Sequence, residues 1–315
     1  MKNYDWVENV FQFGDLTCAG LKQEIRRFWS PLADLNLDWV KLGLGSMAVM
    51  ERNNKIFIRP GTKVLGSHPQ FVEYVEELRV MGADYHAVPL EPADNLKFNT
   101  SKFISEIKAD YRMIYLDNPN NPTGQLIPTD EVEEIVKVAA KKDIIVMVDE
   151  AYADCVDMSC SAMGLVGRYP NLIVLRSFTK GYGLAGIRVG YGIYPGKLSD
   201  HYAKVDTLLP IPAIASRLAE EALKDRKFLS ALSEQVQSVK RMMIKGLMEK
   251  GYIVPETDDR VPIFIFADPD ETCDLAGFLD SRKIISASAD HSGLLGKNYA
   301  RAHVTMRAQE LLDRL

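Results

Sequence analysis

The sequence predicts an α/β protein in which a mostly parallel central sheet is sandwiched by helices, with a smaller α+β domain beside it. Between about residues 39 and 191, near-continuous apolar runs such as "DIIVMVDE" and "NLIVLRS" alternate with segments of helical period. Strands that are apolar on both faces and separated by helices are typical of a parallel sheet between two helical layers. After "LLPIPAIAS" the sequence becomes more charged and helical, which predicts the second, smaller unit.

The elements are expected in the following order. Strands are predicted at "WVKLGLG", "TKVLGS", "YRMIYLD", "DIIVMVDE", "NLIVLRS" and "RVGYGIY". Between them, helices are predicted at "SMAVMERNNKIF", at "HPQFVEYVEELRVMG" and at "TDEVEEIVKVAAKK", the last with Thr129 as its N-cap. A long helix at about 215–250 precedes strands in "VPIFIFAD", "KIISAS" and "NYARAHVTM" and two short helices. We therefore predict a large domain at 36–210, and a smaller domain formed by 1–35 and 211–315.

Composition narrows the classes of function. The chain has 315 residues, 47% of them apolar, with a net charge of −5 and a pI near 5.7, so no basic footprint for nucleic acid is present. No apolar run approaches the roughly 18 residues of a membrane span, and the N-terminus lacks the layout of a signal peptide. The four cysteines show no metal-binding spacing. These features predict a cytoplasmic enzyme that acts on small molecules and holds no metal.

The stretch "VLRSFTKGYGLAGIRVGY" raises the question of chemistry, because Lys180 follows an apolar strand and burial of an unpaired lysine costs several kcal/mol. Dinucleotide binding is one interpretation, since "GLGSMA" matches G-x-G-x-x-A, but no acidic residue follows about 20 residues later. A serine acyl-transfer site is another, since Ser177 to Lys180 matches S-x-x-K; its S-D-N and K-T-G elements are missing. A merely exposed lysine is the third.

A pyridoxal phosphate site is the interpretation that explains the polar strand ends together. Such a site needs an amine that becomes covalently attached, and a carboxylate that keeps the pyridine nitrogen protonated. Asp149 ends an apolar run, where an ionised acid needs a cationic partner, and Tyr152 follows one helical turn later. The phosphate needs a helix start, hydroxyl groups and a cation. The residues suited to this are Gly45, Ser46, Met47, Ser177, Thr179 and Arg188.

Three motifs carry a resemblance to a known family. "DNPNNPTG", "VDEAY" and "SFTKGYGLAGIRVGY" resemble the fold-type I aminotransferases that use pyridoxal phosphate, and the sequence is most similar to their histidinol-phosphate aminotransferase branch. The motifs occur in the family order. The separations from Asn121 to Asp149 (149 − 121 = 28) and from Lys180 to Arg188 (188 − 180 = 8) also match. The resemblance extends from roughly Gly14 to the C-terminus.

The resemblance implies a role for individual residues. Lys180 would form the Schiff base and later move the proton, and Asp149 would pair with the pyridine nitrogen. Asn121 and Tyr152 would donate hydrogen bonds to the 3-oxygen of the ring, and Phe71 would stack on the ring. Arg301 would clamp the α-carboxylate of the substrate, a task that suits a bidentate guanidinium. Arg307 is expected at the surface.

The sequence also departs from the family. Family members open with an Asn-Pro-rich segment that contributes to the substrate pocket; this sequence begins after it, so we expect that wall to be missing or built differently. Phe13 stands where a tyrosine would reach the cofactor phosphate of the partner subunit. The region "KIISASADHSG" holds no arginine for a substrate phosphate, and its His291 is expected to be a loop residue. These departures weaken the histidinol-phosphate assignment but leave the reaction class unchanged.

We therefore expect transamination between an amino acid and a 2-oxo acid. Decarboxylation of an amino acid, as in the related threonine-phosphate decarboxylase, is the first alternative, because the same residues serve if the carboxylate is turned perpendicular to the ring. A cofactor-binding protein without catalysis is the second. The resemblance further implies a homodimer whose sites lie at the interface, to which the apolar "WVENVFQF" could contribute.

Overall fold

The computed structural model describes residues 15–288 and 295–315. Its main feature is a seven-stranded sheet that lies within the first two thirds of the chain. The strands are β1 (Val40–Gly43), β2 (Lys63–His68), β3 (Asp84–Pro89), β4 (Tyr111–Asp117), β5 (Ile145–Asp149), β6 (Leu172–Ser177) and β7 (Gly190–Ile193). Their order across the sheet is β1-β7-β6-β5-β4-β2-β3.

Strand direction in this sheet determines where the functional residues gather. Strands β3, β2, β4, β5 and β6 are parallel neighbours, and β7 is antiparallel to both β6 and β1. Only β7 therefore runs against the other six strands. The carboxyl ends of six strands and the start of β7 consequently meet at one edge of the sheet, where open α/β sheets bind their ligands.

The sheet is apolar on both faces, as the sequence predicts. Alternate residues of β4, β5 and β6 point to opposite sides, so that Leu116 and Val148 join one buried cluster while Tyr115 and Met147 join the other. The first cluster is covered by α1 (Ala19–Trp29), α5 (Thr129–Ala140) and α7 (Ala213–Lys224), and the second by α2 (Gly45–Phe57), α3 (Val72–Val80) and α6 (Lys197–Ala203). The predicted α/β sandwich is confirmed.

A three-stranded antiparallel sheet follows, made of β8 (Ile263–Ala267), β10 (Tyr299–His303) and β9 (Ala287–Ser288) in that order. The helices α8 (Arg226–Glu249), α9 (Leu275–Ser281) and α10 (Ala308–Arg314) cover one face. On the other face, Ile263 and Ile265 pack against the large sheet, in clusters that include Tyr152 and Leu90. The three-stranded sheet therefore faces the edge at which the parallel strands end.

Several elements differ from the prediction. Strand β3 and the short helix α4 (Thr100–Ser105) were not predicted, because β3 is an edge strand with the mixed sequence "DYHAVP". The single helix predicted at about 215–250 is two helices, since Asp225 ends α7 and its carboxylate caps α8 by accepting from the N–H of Phe228 (3.1 Å). Thr129 is the first residue of α5 rather than its N-cap, which is Pro128.

The packing of α1 and α7 bears on domain organisation. Both helices bury apolar side chains in the first cluster of the seven-stranded sheet, including Ile25 and Ala219. The boundaries at 36–210 and 211–315 stay a prediction, and this packing associates α1 and α7 with the large unit. Within residues 15–288 and 295–315, no helix is long and apolar enough to cross a membrane.

Candidate active site

The residues predicted to carry chemistry lie at the strand ends of one sheet edge. Asp149 ends β5, Ser177 ends β6, and Lys180 lies in the turn that follows. Arg188 precedes β7, and Asn121 follows β4. Gly45, Ser46 and Met47 begin the helix after β1, and Phe71 precedes the helix after β2. Because these turns are neighbours in the sheet order, the fold brings together residues that span more than a hundred positions of sequence.

Asp149 is a buried carboxylate that has no cationic partner among residues 15–288 and 295–315. Its side chain accepts from the N–H of Ala151 (3.1 Å) and from the hydroxyl of Tyr115 (3.4 Å), and the residue is 4% exposed. No ion pair involving Asp149 is formed among the residues that the structure describes. Burial, together with the charge of the nearby Asp117, raises the pKa of Asp149 to about 7. A cation placed against this carboxylate would lower that pKa and stabilise the ionised form.

Lys180 lies beside the aromatic ring of Tyr152. Its ammonium nitrogen is 4.9 Å from the ring centroid, and Tyr152 itself is buried. The imidazole of His303 is also close to Tyr152, with its ring centroid 6.4 Å from that of Tyr152. Burial and the positive charges of Arg301 and Lys180 lower the pKa of His303 to about 4, so this imidazole is neutral at pH 7. His303 was not predicted from the sequence.

The hydroxyl groups after β6 converge with a guanidinium. The Ser177 hydroxyl donates to Thr179 Oγ1 (2.8 Å), and Arg188 Nη1 donates to the same Thr179 oxygen (3.5 Å). Arg188 also contacts the Leu44 carbonyl oxygen through Nη2 (3.5 Å), which joins this group to the start of α2. Two hydroxyls, one cation and a helix start form an arrangement suited to a phosphate.

Neighbouring groups can approach the start of α2 closely. Its N-cap residue, Leu44, makes no side-chain hydrogen bond to the first N–H groups, which can therefore donate to a ligand. Gly45 has φ +80°, and a Cβ there would lie 2.7 Å from Arg188 Nη2. A Cβ on Gly190 would lie 2.3 Å from the backbone nitrogen of Ser46. Glycine at these two positions therefore lets the helix start, the arginine and β7 meet.

Arg301 and Asn121 connect the two sheets. Arg301 lies on β10, on the face that looks towards the large sheet, and its Nη1 donates to Asn121 Oδ1 (2.9 Å). The Arg301 Nε is buried and has no hydrogen-bond partner in the part of the chain that the structure describes. The amide of Asn121 therefore orients the guanidinium, while part of its donor capacity is left for a ligand.

Asp117, which was not predicted as a site residue, forms hydrogen bonds to the backbone of two site residues. Its Oδ2 accepts the N–H groups of both Phe71 and Asn121, at 3.0 Å each, and Oδ1 accepts from Gln70 (3.1 Å) and Asn120 (3.0 Å). Burial raises the pKa of Asp117 to about 6, although these four hydrogen bonds oppose the shift. One carboxylate thus fixes the backbone on which Phe71 and Asn121 are carried.

The remaining predicted residues are placed as follows. Arg307 is exposed, as expected. Phe13, His291 and all of "WVENVFQF" lie outside the described residues, and the predictions made for them are untested. A buried ion-pair cluster formed by Glu150, Asp154 and Arg176 lies behind the site, and no sequence pattern indicated it. A polar residue inside an apolar run, as Arg176 is within "NLIVLRS", is the one signal that could have found it.

Comparison with known proteins agrees with the family resemblance of the sequence motifs. The family described as aminotransferase class I and II matches residues 8–295. Histidinol-phosphate aminotransferase 1 of Trichormus variabilis is 30% identical over 231 residues, which cover 73% of this chain and 63% of that protein. The chain therefore spans less than two thirds of the length of this relative.

Solved structures share the fold. The histidinol-phosphate aminotransferase from Clostridium acetobutylicum superimposes with a TM-score of 0.88 at 22% identity, over 98% of this chain and 91% of that one. The histidinol-phosphate aminotransferase from Sinorhizobium meliloti, solved in complex with pyridoxal-5'-phosphate, gives a TM-score of 0.84 at 18% identity, over 98% and 83% of the two chains. At these identities the likeness establishes fold type I.

Proposed function

The chain belongs to the class I and II aminotransferases, and from this premise we propose that it moves an amino group between an amino acid and a 2-oxo acid. Its cofactor is pyridoxal 5'-phosphate. The observation that carries the proposal is the buried Asp149, which has no cationic partner among the described residues and lies at the same sheet edge as Lys180. A protonated pyridine nitrogen is a partner that such a carboxylate requires.

The residues of the site fit the cofactor in three further respects. The uncapped start of α2 and the group formed by Ser177, Thr179 and Arg188 match the needs of a phosphate. Phe71 is held by Asp117 at the edge of the site, where its ring can cover one face of the cofactor. Tyr152 and Asn121 offer hydrogen bonds from two sides. Lys180, exposed beside Tyr152, is the amine available for covalent attachment.

The roles in the reaction follow from these positions. When bound, the cofactor supplies a cationic ring that withdraws the electrons of the substrate Cα–H bond. Asp149 keeps the proton on the ring nitrogen. Arg301, oriented by Asn121, holds the α-carboxylate of the substrate by a charge-assisted pair. The Lys180 amine would accept the proton from the substrate Cα and hold it for transfer to the carbon on the other side of the imine nitrogen, which is general acid–base catalysis of a kind worth about 10²–10⁴-fold.

The substrate side chain is not specified by these residues. The names of the relatives favour an amino acid or amine with a phosphate, such as histidinol phosphate, and the lack of an arginine in "KIISASADHSG" speaks against a dedicated phosphate clamp in that segment. We propose the coarser class, an α-amino acid donor and a 2-oxo acid acceptor.

A homodimer in the cytoplasm is part of the proposal. Apolar side chains around the start of the last third of the chain are exposed, among them Leu208 (77%) and Leu218 (41%), in the loop before α7 and on α7. Ile214 and Leu218 are four residues apart on that helix and so share one face. Exposed apolar groups of this kind favour an interface, and sedimentation of the purified protein would test it.

The experiment for the reaction uses the cofactor-loaded protein. It is incubated with L-glutamate, L-aspartate or L-histidinol phosphate as donor and a 2-oxo acid as acceptor, and both new amino acid and carbon dioxide are measured. Stoichiometric new amino acid without carbon dioxide supports transamination. Release of carbon dioxide identifies a decarboxylase instead. If the cofactor is bound but neither product forms, the protein binds the cofactor without turnover.

A further inference from the structure

A buried ion-pair cluster lies directly behind the candidate site. Arg176 on β6 donates from Nη1 to Glu150 Oε2 (3.1 Å) and from Nη2 to Asp154 Oδ1 (2.7 Å). The side chains of all three residues are at most 6% exposed. The guanidinium carbon also lies over the buried Trp29 ring, 5.1 Å from its centroid, a distance that favours a cation–π contact.

The cluster connects the two residues on which the chemistry depends. Glu150 directly follows Asp149, and its backbone N–H donates to the Leu175 carbonyl of the neighbouring strand (2.9 Å). At the other end, Asp154 Oδ2 accepts the backbone N–H of Gly181 (3.1 Å), the residue directly after Lys180. A continuous chain of charged hydrogen bonds therefore runs from the end of β5 to the turn that carries Lys180.

Gly181 shows how closely this turn is held. A Cβ at Gly181 would lie 2.2 Å from the Cβ of Asp154, which no side chain could occupy without moving the turn. Glycine permits its own N–H to reach the carboxylate at this distance. The hydrogen bond from Gly181 to Asp154 therefore helps to position the turn after Lys180, together with the packing of Tyr182 against Phe178.

The charge balance of the cluster is unusual for a purely structural element. Two carboxylates share one guanidinium, and burial raises the pKa of Asp154 to about 6, although Arg176 and the Gly181 N–H oppose the shift. Burial raises the pKa of Glu150 as well. Because desolvation offsets most of the attraction in a buried ion pair, such a cluster contributes little net stability compared with apolar packing. A geometric role explains its presence at this position.

We propose that Asp154 is a positioning residue for Lys180: held by Arg176, it anchors the Gly181 N–H and so sets the direction in which the Lys180 amine points relative to Asp149. This inference rests on the proposed function, since it concerns the amine that holds the cofactor. Asp154 touches neither cofactor nor substrate and acts only through the turn.

The test replaces Asp154 by asparagine. The side chain of D154N can accept from Gly181 or from Arg176 but not from both, because its amide NH₂ cannot accept a hydrogen bond. The visible absorption band of the cofactor-loaded protein is measured as a function of pH. The midpoint of this titration reports on the group that joins Lys180 to the cofactor. We expect D154N to shift the midpoint by about one pH unit. We also expect it to lower kcat by about tenfold, with KM for L-glutamate changed less than about twofold.

Ser161→Ala is the matched control, because the Ser161 hydroxyl donates to Glu150 Oε2 (2.6 Å) in the same cluster and does not touch Asp154. S161A should lower thermal stability and leave the titration unchanged. If D154N lowers stability as S161A does and shifts neither midpoint nor kcat, Asp154 is merely structural and the inference is wrong. Should D154N not fold, Arg176→Lys gives the same two readouts, since an ammonium lacks the planar set of donors with which the guanidinium holds Glu150 and Asp154.

A failure of the inference about Asp154 can be distinguished from a failure of the proposed function. If the wild-type protein takes up no cofactor at Lys180, the function itself is wrong and the band does not exist. If the wild type is loaded and active, only the comparison of D154N with S161A decides the role of Asp154.

Discussion

Arg301 and Asn121, which are 180 residues apart, are joined by a hydrogen bond of 2.9 Å between Nη1 and Oδ1. The arginine belongs to the three-stranded sheet and the asparagine to the loop after β4 of the seven-stranded sheet. The proposed carboxylate clamp therefore exists only where the two sheets meet. Any change that separates them is expected to impair substrate binding before it impairs the cofactor.

Arg301→Lys tests the clamp. A lysine keeps the charge but loses the planar set of donors. It therefore cannot contact Asn121 and hold a carboxylate through two hydrogen bonds at the same time. Because a charged hydrogen bond is worth about 1.5–3 kcal/mol, kcat/KM for L-glutamate should fall about 10- to 100-fold. Arg307→Lys, at an exposed position six residues later, is the control and should change little. Equal kinetics for R301K and the wild type would remove Arg301 from the site.

Asp149→Asn should alter the pH dependence of stability in the cofactor-free protein. The pKa of Asp149 is raised from 3.8 to about 7 by burial and by Asp117. The folded state thus binds this proton more tightly than the unfolded chain. The free energy of unfolding falls as pH rises from about 4 to about 7. Over that range the wild type should lose about 3 kcal/mol relative to D149N.

Chemical unfolding at a series of pH values measures this difference. Saturation with cofactor should abolish most of it, because a cationic ring nitrogen then stabilises the ionised carboxylate. D149N should also reduce turnover far more than it reduces cofactor content. Parallel stability curves for wild type and D149N would show that Asp149 is not the titrating group.

Gly45→Ala tests the phosphate site against a closely matched control. Gly45 and Gly61 have φ values of +80° and +82°, but a Cβ at Gly45 meets Arg188 and a Cβ at Gly61 meets nothing within 4 Å. Both substitutions should cost about 1–2 kcal/mol of stability through the left-handed backbone. Only G45A should also weaken cofactor retention, by about tenfold, since it displaces Arg188. Cofactor retention is compared by dialysing both cofactor-loaded variants against phosphate and measuring the cofactor absorbance that remains. Equal retention of the cofactor in both variants would argue against a phosphate at this helix start.

Lys240→Met tests a buried lysine that connects α8 to the loop near Asn121. Its Nζ donates to Thr257 Oγ1 (2.8 Å) and to the carbonyl oxygens of Asp258 (2.7 Å), Val261 (2.9 Å) and Ile263 (2.9 Å). Burial lowers the pKa of Lys240 to about 7.

Removing the ammonium leaves several buried acceptors without a donor, so K240M should lose about 3 kcal/mol or more of unfolding free energy. Lys245→Met, whose side chain is 78% exposed on the same helix, should change stability by less than about 0.5 kcal/mol. A K240M protein as stable as the wild type would mean that the four contacts contribute nothing net.

Much of the site was predictable because its residues stand at strand ends. An apolar run followed by Asp149, or by Ser177 and Lys180, places those side chains at one edge of a parallel sheet whatever the detailed packing. The start of α2 was found in the same way, from glycine and serine after a short strand.

The supporting residues could not be predicted, since their partners are distant in sequence. Asp117 holds the N–H of Phe71, 46 residues away, and no local pattern encodes that contact. Lys240 reads as an ordinary charged residue of an amphipathic helix, yet it is fully buried. Strand β3 was missed because its half-exposed residues carry no clear period, and its pairing with β2 determines its structure.

The most direct measurement concerns Lys180. The folded protein is incubated with pyridoxal phosphate, reduced with borohydride and digested, and the peptides are weighed. A reduced adduct on the peptide that contains Lys180, absent from Lys180→Ala of equal thermal stability, is the predicted result. A folded protein with no added mass at Lys180, or with the adduct on surface lysines alone, would contradict the assignment of this amine and with it the proposed reaction.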